Sequence, residues 1–495
     1  MRKIVCVLLA LVLVLSFKLV MAVPAQAATL EVGPGKPYAT ITTAIGDAGT
    51  GDTILVYADT YDAEPAWPID VDVADLTIRS VSGAASTIID PGASGQGAIE
   101  ISTTGVTFDG FTVKQGTQAY SASDLQEHTI WVHANYSTIK NNTIIGAGGN
   151  QACIYIGGGT VGEPHDGYAA LFGYQVSTPL GQTIRNNTFR YAASGEGWGI
   201  FAYDLSDSLI RGNQFVGDAA DVGSWGTDEG APGTGIIIHK ATAATGSPSP
   251  GGGYVDIRGN TAQYVKYTWL TFYSAYPYND VAGKMYEQPE ASTVDKVIVR
   301  HNTVSDCGTA VNFHRANKSD CYGTTKCADL TVGSNGVTIG PGNEFYNNGD
   351  GIRIDDPKEK PTGCIASVLD ADNIAINNNE IYDNTLDTSS WWGTPQGYGV
   401  WNGTTTAVNA EDNWWGNDSG PAGVGPGTGD AVSDYVDYDP WRTVPPSPAA
   451  PGPVVGGTVY PVDKVSILMP WIGLALLLAL AGAYVARLAL RKLRG

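Results

Sequence analysis

One short phrase, written again and again along the chain, restricts the fold more than any other feature. The phrase is apolar-x-apolar-(Lys/Arg)-x-Asn-x-apolar. It occurs as STIKNNTI ending at Ile144, QTIRNNTF ending at Phe189, SLIRGNQF ending at Phe215, VDIRGNTA ending at Ala262 and VIVRHNTV ending at Val304. Looser copies are VTIGPGNEF ending at Phe345, IAINNNEI ending at Ile381 and VNAEDNWW ending at Trp415. The asparagines fall at Asn142, Asn187, Asn213, Asn260, Asn302, Asn343, Asn379 and Asn413. A repeated unit of this kind cannot bury its apolar face alone and must stack on its own copies. A β-sandwich also has many short strands, but it would not repeat one turn sequence eight times.

A second unit alternates with the first and reads CIYIG, GIFAYD, GIIIHK, WLTFYS, AVNFHR, GIRIDD and GVWNG, with HTIWVH at its head. Both units alternate side chains with the period of a strand. Where loops are shortest, a cycle takes about two dozen residues, as from Asn187 to Asn213. Two or three short strands per cycle with Asn at a fixed turn describe a single-stranded, right-handed parallel β-helix, an all-β fold. Asn tolerates left-handed backbone geometry, and its amide can bond the same turn in the coils above and below. Several of these sites, Asn141 and Asn186 among them, also read as N-x-Thr glycan acceptors. A stacked turn must repeat and a glycan site need not, which favours the structural role.

The ends of such a coil need lids, because an open end exposes apolar cross-section and unpaired edges. PYATITTAIGDA, from Pro37 to Ala48, places Ile41, Ala44, Ile45 and Ala48 on one face and predicts a short amino-terminal capping helix. A first strand is expected to follow at Thr53–Tyr57. NWWGNDSGP, from Asn413 to Pro421, is expected to close the other end with two indoles. The opening PYATITTAIGDAGTGDTILVYADTY, the coils and the closing NWWG…GP resemble the right-handed β-helix proteins of the pectin-lyase-like superfamily. More narrowly, they resemble its surface and periplasmic members with carbohydrate-binding or sugar-hydrolysis repeats. The resemblance covers nearly all of residues 30–442. It implies the fold but no particular reaction, since this fold hosts lyases, hydrolases, epimerases, adhesins and proteins without activity.

Segments of other character flank the repeats. A basic start, an apolar run from Ile4 to Leu15 and Ala25-Gln26-Ala27 have the parts of a secretory signal peptide over residues 1–27. The β-helix domain is expected over 28–442 and a Pro/Gly-rich linker over 443–464. An apolar span at 465–486 can cross a bilayer, and the basic tail 487–495 then stays in the cytoplasm. These expectations describe an exported cell-surface protein, anchored to the membrane by a carboxyl-terminal helix and acting as a monomer. The formal net charge of −21 argues against nucleic acid as a partner, since phosphate binding needs a basic footprint. Export permits disulfides, and Cys321 with Cys327 is the preferred pair among five mature cysteines, an odd number that leaves at least one thiol free.

Aligning the second unit fixes which side chains share a row. With Ile236 and Ile238 inward, Ile237 and His239 point outward. The last outward row then holds His133, Gly157, Tyr203, His239, Tyr273, His314 and Asp355. The next residues along include Lys240, Arg315 and Asp356, and the outward row two earlier includes Trp131, Tyr155, Phe201, Asn312 and Arg353. Six steps of ~4.8 Å make a strip of ~29 Å. Insertions at Ser274–Asp295, Ala316–Asn335 and Pro357–Ala371 follow the same strand end and are expected to wall the strip, with Tyr276, Tyr278 and Tyr286 lining one of them. Aromatic rings and hydrogen-bonding groups along a groove suit an extracellular polysaccharide, with His133, Tyr155, Tyr203, Asn312 and Arg353 as substrate-binding candidates. Such rows also stabilise β-helices by stacking on themselves, without any ligand.

Three functions follow from this strip. Binding of polysaccharide without turnover comes first. A lyase or epimerase acting on a uronic-acid polymer comes second. It needs a cation on the sugar carboxylate, a base and a proton donor, types that Arg315 or Lys240, His314 or His239, and Tyr273 supply. Asp355 and Asp356 are candidate Ca²⁺ ligands. Glycoside hydrolysis is poorly supported: it needs two carboxyls about 5–9.5 Å apart, whereas Asp204 and Asp355 lie four coils, ~19 Å, apart. A purely structural surface or adhesion protein is the third reading.

Overall fold

The computed structural model describes residues 27–94, 97–116, 128–146, 152–157, 180–191, 197–217, 233–242, 253–273, 292–314, 330–354, 369–385 and 397–446. The chain divides into two compact units, Met1–Ser447 and Pro448–Gly495, and every described residue belongs to the first. Its strands form three parallel sheets of 13, 15 and 10 strands, in each of which neighbours come from successive turns of the chain. We call them first, third and second in the order that each coil visits them. In one coil Thr138–Lys140 lies in the first sheet, Thr143–Gly146 in the second and Ala152–Ile156 in the third. This is a parallel β-helix, an all-β fold.

Strand periodicity sends alternate side chains inward, and register stacks them by type. The inward row of the first sheet includes Ile78, Phe108, Ile139, Ile184, Ile210 and Ile257, each at most 2 % exposed. The second sheet stacks Phe189 on Phe215 at 4.7 Å, and the third stacks Phe272 on Phe313 at 4.8 Å. Each such side chain contributes about 1.5–3 kcal/mol on burial, so these rows are the main stabilising term.

The repeated asparagines join the first sheet to the second and form one continuous ladder. Asn213 is typical and wholly buried. Its Oδ1 accepts from the backbone N–H (2.9 Å) and Nδ2 (3.1 Å) of Asn187, while its Nδ2 donates to Asn260 Oδ1 (3.0 Å) and the Ile184 carbonyl (2.9 Å). Asn142, Asn187, Asn260, Asn302, Asn343, Asn379 and Asn413 continue it. The sequence had assigned left-handed geometry to these asparagines, and that assignment is corrected. The strained residue is the one before each of them: Asn141, Asn186, Gly212, Gly259, His301, Gly342, Asn378 and Asp412, with φ between 53° and 75°. The ladder amide is buried in the stack, while the preceding residue absorbs the turn.

A second, shorter ladder joins the second sheet to the third. Asn348 Oδ1 accepts the Cys307 N–H at 3.0 Å, and Asn384 Oδ1 accepts from Asn348 N and Nδ2 at 3.1 and 2.9 Å. Asp430 ends the row, accepting from Asn384 Nδ2 at 2.7 Å. Cys307 and Cys153 are buried, and neither forms a disulfide among the described residues. Cys321, Cys327 and Cys364 lie outside the described residues.

The lid forms as expected, with two differences. Helix α1 (Ile41–Asp47) starts at Thr40, whose side chain accepts the Thr43 N–H, and buries Ile41, Ala44 and Ile45. Glu64 accepts the N–H groups of Ile41 and Thr42 at 2.8 and 2.9 Å, as suits a carboxylate at a helix start. The first strand, however, is Thr29–Val32, ahead of the helix, and Thr53–Val56 pairs beside it as the second. At the far end Trp415 plugs the core, yet the chain continues through Gly429–Val432 and Val436–Asp437 before leaving the coil.

The ends of the three insertions are also strands. Ser292–Val294 pairs with Ala241 and with Leu330–Val332, which pairs with Leu369–Asp370. Among the described residues no helix is long and apolar enough to cross a membrane. The expected leader, the spanning segment, the basic tail and most of the linker lie outside those residues.

Candidate functional site

The outward row of the third sheet changes character along the coil stack. It begins with Asp70 and Glu100, becomes apolar at Trp131, Tyr155, Phe201 and Ile237, turns polar at Thr271, Asn312 and Arg353, and ends at Trp401. These residues face away from the core because the inward positions on either side hold Ile, Val, Leu, Phe and Ala, with Asn402 beside Trp401 the one polar exception.

The apolar half is closed. Trp131, Tyr155, Phe201 and Ile237 are 2–8 % exposed and form a hydrophobic cluster of their own, with Trp198 and Tyr273 against it. Tyr155 stacks on Phe201 at 5.4 Å and on His128 at 4.4 Å. His128 Nδ1 accepts the Ala152 N–H at 3.1 Å. Burial holds its pKa down to about 3, so the ring is neutral. Burial likewise pushes the Tyr155 phenol well up, and its Oη has no partner among the described residues. His133 stacks on Trp131 at 4.4 Å, with Nε2 2.8 Å from Glu100 Oε1. Alternation had shown correctly that these side chains face outward, but facing outward and being open are different properties here.

The polar half is open only at its flanking rings, since Thr271, Asn312 and Arg353 are 5–7 % exposed, as buried as the apolar row. Tyr273 and His314 are half-buried and stack in parallel, 5.2 Å apart with 6° between their planes. His239 is buried, and its Nδ1 donates to the Tyr273 carbonyl at 2.8 Å, which fixes the proton on that nitrogen. Beside this pair lie Thr271 and Asn312, then Arg353, whose guanidinium pairs with buried Asp350. Desolvation pushes the Asp350 carboxyl up, against the pull of Arg353 and the Tyr398 N–H. Arg353 also sits 5.9 Å from the Trp401 ring, and Tyr398 meets Trp401 edge-on at 4.8 Å. Trp401 and Tyr398 are half-buried, and the Trp401 indole N–H has no partner among the described residues.

The sequence candidates therefore separate. His239, Tyr273, His314, Asn312 and Arg353 come together on the polar half, whereas His133 and Tyr155 belong to the closed apolar half. Tyr203 and Lys240 lie on the strands Trp198–Ser206 and Thr234–Thr242, where Tyr203 follows the paired Ala202 and Lys240 pairs with Asp204. Arg315, Asp355, Asp356, Tyr276, Tyr278 and Tyr286 lie outside the described residues. Among the described residues no group of three or more His, Cys, Asp or Glu could hold a metal. Sequence reading missed Trp401, Tyr398 and Asp350, although the alignment of GIRI with GVWN places Arg353 beside Trp401.

No family model matches the sequence, and none of the curated proteins compared with it is similar. A solved structure described as the complex of XylC with xylose aligns with 78 % of this chain and 68 % of its own, at 11 % identity and a TM-score of 0.36. A likeness that loose carries no weight for fold or function. The parallel β-helix rests on the register of its own strands.

Proposed function

We propose that this chain is an exported, membrane-tethered surface protein that binds an extended extracellular polysaccharide along the polar half of the third sheet. One observation carries the reading. Two half-buried ring pairs, Tyr273–His314 and Tyr398–Trp401, bracket the hydrogen-bonding row of Thr271, Asn312 and Arg353. Rings offer stacking faces to sugars, and the polar row lies beneath them at 5–7 % exposure, where it fixes the rings rather than presenting a free surface. Export and tethering are supported by the apolar segments near both ends, each joined to basic residues. A glycan array on the intact protein in mild detergent tests the reading. Trp401→Ala and Tyr273→Ala should each weaken the bound glycan at least tenfold, worth about 1.4 kcal/mol. Unchanged binding in both variants would place the glycan elsewhere on the coil, and no glycan bound at all would leave a purely structural surface protein.

A uronate lyase or epimerase is the second reading, favoured by the proton that His239 gives to the Tyr273 carbonyl. That bond leaves Nε2 as the basic nitrogen, on the coil next to that of Tyr273. In this scheme Lys240 or Arg315 neutralises the sugar carboxylate and Asp355 with Asp356 holds Ca²⁺. New ultraviolet absorbance from an unsaturated uronate, abolished by His239→Gln, would distinguish elimination from binding alone.

A further inference from the structure

We infer that the outer face of the first sheet carries a second binding surface, a single-file row of cations for a linear polyanionic polysaccharide. Lys140, Arg185, Arg211, Arg258 and Arg300 are direct register partners in five successive coils. All five are half-buried at their stems, with their charged ends on an outward face. Like charges opposite one another on adjacent strands oppose pairing, so the row is not there to stabilise the sheet.

Only its ends are neutralised. Lys140 lies 3.3 Å from Asp109. Arg300 holds Asp256 through Nε and Nη2 at 3.1 and 2.8 Å, and Arg258 reaches the same carboxylate at 3.3 Å. Among the described residues no carboxylate pairs with Arg185 or Arg211. Five cations against two carboxylates leave three positive charges, on a chain whose net charge is −21. Burial lowers the pKa of Arg258, and the charges of Arg300 and Arg211 lower it further against the pull of Asp256.

The geometry points to one class of ligand. The coils present one cation every ~4.8 Å in a straight line. A uronic-acid chain presents one carboxylate per sugar ring, a comparable length, and guanidinium groups bind carboxylates through two parallel bonds. Beside the row, Asn141 donates to Asp109 at 2.7 Å and accepts from Asn186 at 3.4 Å, which leaves the exposed Asn186 amide oxygen to face hydroxyls, and Gly212 and Gly259 keep the shoulder low. A bilayer would present a plane of charge rather than a line, and the acidic remainder of the protein repels duplex DNA.

The test uses the full chain and polygalacturonate at several salt concentrations. Arg185→Gln with Arg211→Gln leaves no acid unpaired. It should weaken binding at least tenfold and make the dependence of log K on log salt shallower by roughly one to two. Arg190→Gln, an exposed cation of the second sheet, should change nothing. Neutral glycans that bind the third sheet should bind the double variant as before, which separates this surface from the one proposed above. Arg185→Lys with Arg211→Lys should keep most of the affinity. Unchanged affinity in the Gln variant, an equal loss in Arg190→Gln or in the Lys variant, or equally tight binding of the methyl-esterified polymer would overturn the proposal. Duplex DNA that displaces polygalacturonate at equal concentration would also overturn it.

Discussion

The two side-chain ladders solve the same problem with different endings. The long one uses asparagine at every rung, because an amide both accepts from the coil below and donates to the coil above. The short one runs from Asn348 to Asn384 and stops at Asp430, which accepts from Asn384 but has nothing to donate while ionised. An acceptor-only group can terminate a stack but cannot continue it. Desolvation pushes the Asp430 carboxyl up to about 6 against the hydrogen bonds from Asn384, so the terminus titrates while the long ladder does not.

The largest effect should come from breaking the long ladder at its middle. Asn213→Asp keeps the acceptor but removes both side-chain donors to Asn260 and Ile184, leaving buried acceptors facing each other. A loss of about 3 kcal/mol or more is expected at neutral pH by denaturant unfolding, with partial recovery at acid pH as the carboxyl takes a proton. A cost under 1 kcal/mol would show that the ladder amides are not acting as a stack.

Asp430→Asn sharpens the comparison from the other side. A carboxyl of ordinary pKa near 3.9 when unfolded and about 6 when folded binds more protons in the native state between those values. Its contribution is therefore full below pH 4 and is lost as pH rises through 6, amounting to no more than about 3 kcal/mol. The amide should remove that slope and raise stability at pH 7. A variant with an unaltered pH profile between 4 and 7 would place the titration elsewhere.

The smallest effect belongs to the turn residue ahead of the rung. At Gly259 an added Cβ meets nothing within 4 Å, so Gly259→Ala reports the left-handed backbone alone, about 1 kcal/mol. At Gly212 the same atom would come 2.7 Å from Asn186 Oδ1, so Gly212→Ala should cost more. Equal costs would mean that the turn relaxes at both sites.

The long ladder could be read from sequence because one amide at one turn repeats without interruption. The residue that carries the strain was also on display: the position before each ladder asparagine holds only Asn, Gly, His or Asp, all tolerant of positive φ. The short ladder had a fainter signature, VSDC, FYNN and IYDN, ending at Cys307, Asn348 and Asn384. Three copies, one of them ending in Cys instead of Asn, do not announce themselves. The closed aromatic cluster was hidden for another reason. Strand periodicity says which side a residue faces, not whether that side is covered, and Tyr155 and Phe201 look alike in sequence whether they meet a ligand or a neighbour. The cation row is written in the repeat itself, where Lys or Arg before the turn serves equally well as part of the fold signal.

The clasp at the last coil determines how this molecule would bear load. Arg442 donates its backbone N–H to the Asn413 carbonyl at 2.9 Å and its Nε to the Asp412 carbonyl at 2.8 Å, and it also reaches Asn378. Tension applied beyond residue 446 therefore enters at the foot of the long ladder. Each coil touches only its neighbours, so failure would travel as peeling, one rung at a time, rather than as a single rupture. A stretched molecule would lengthen in steps and shed its outermost coils first, while the coils nearer α1 still held their shape.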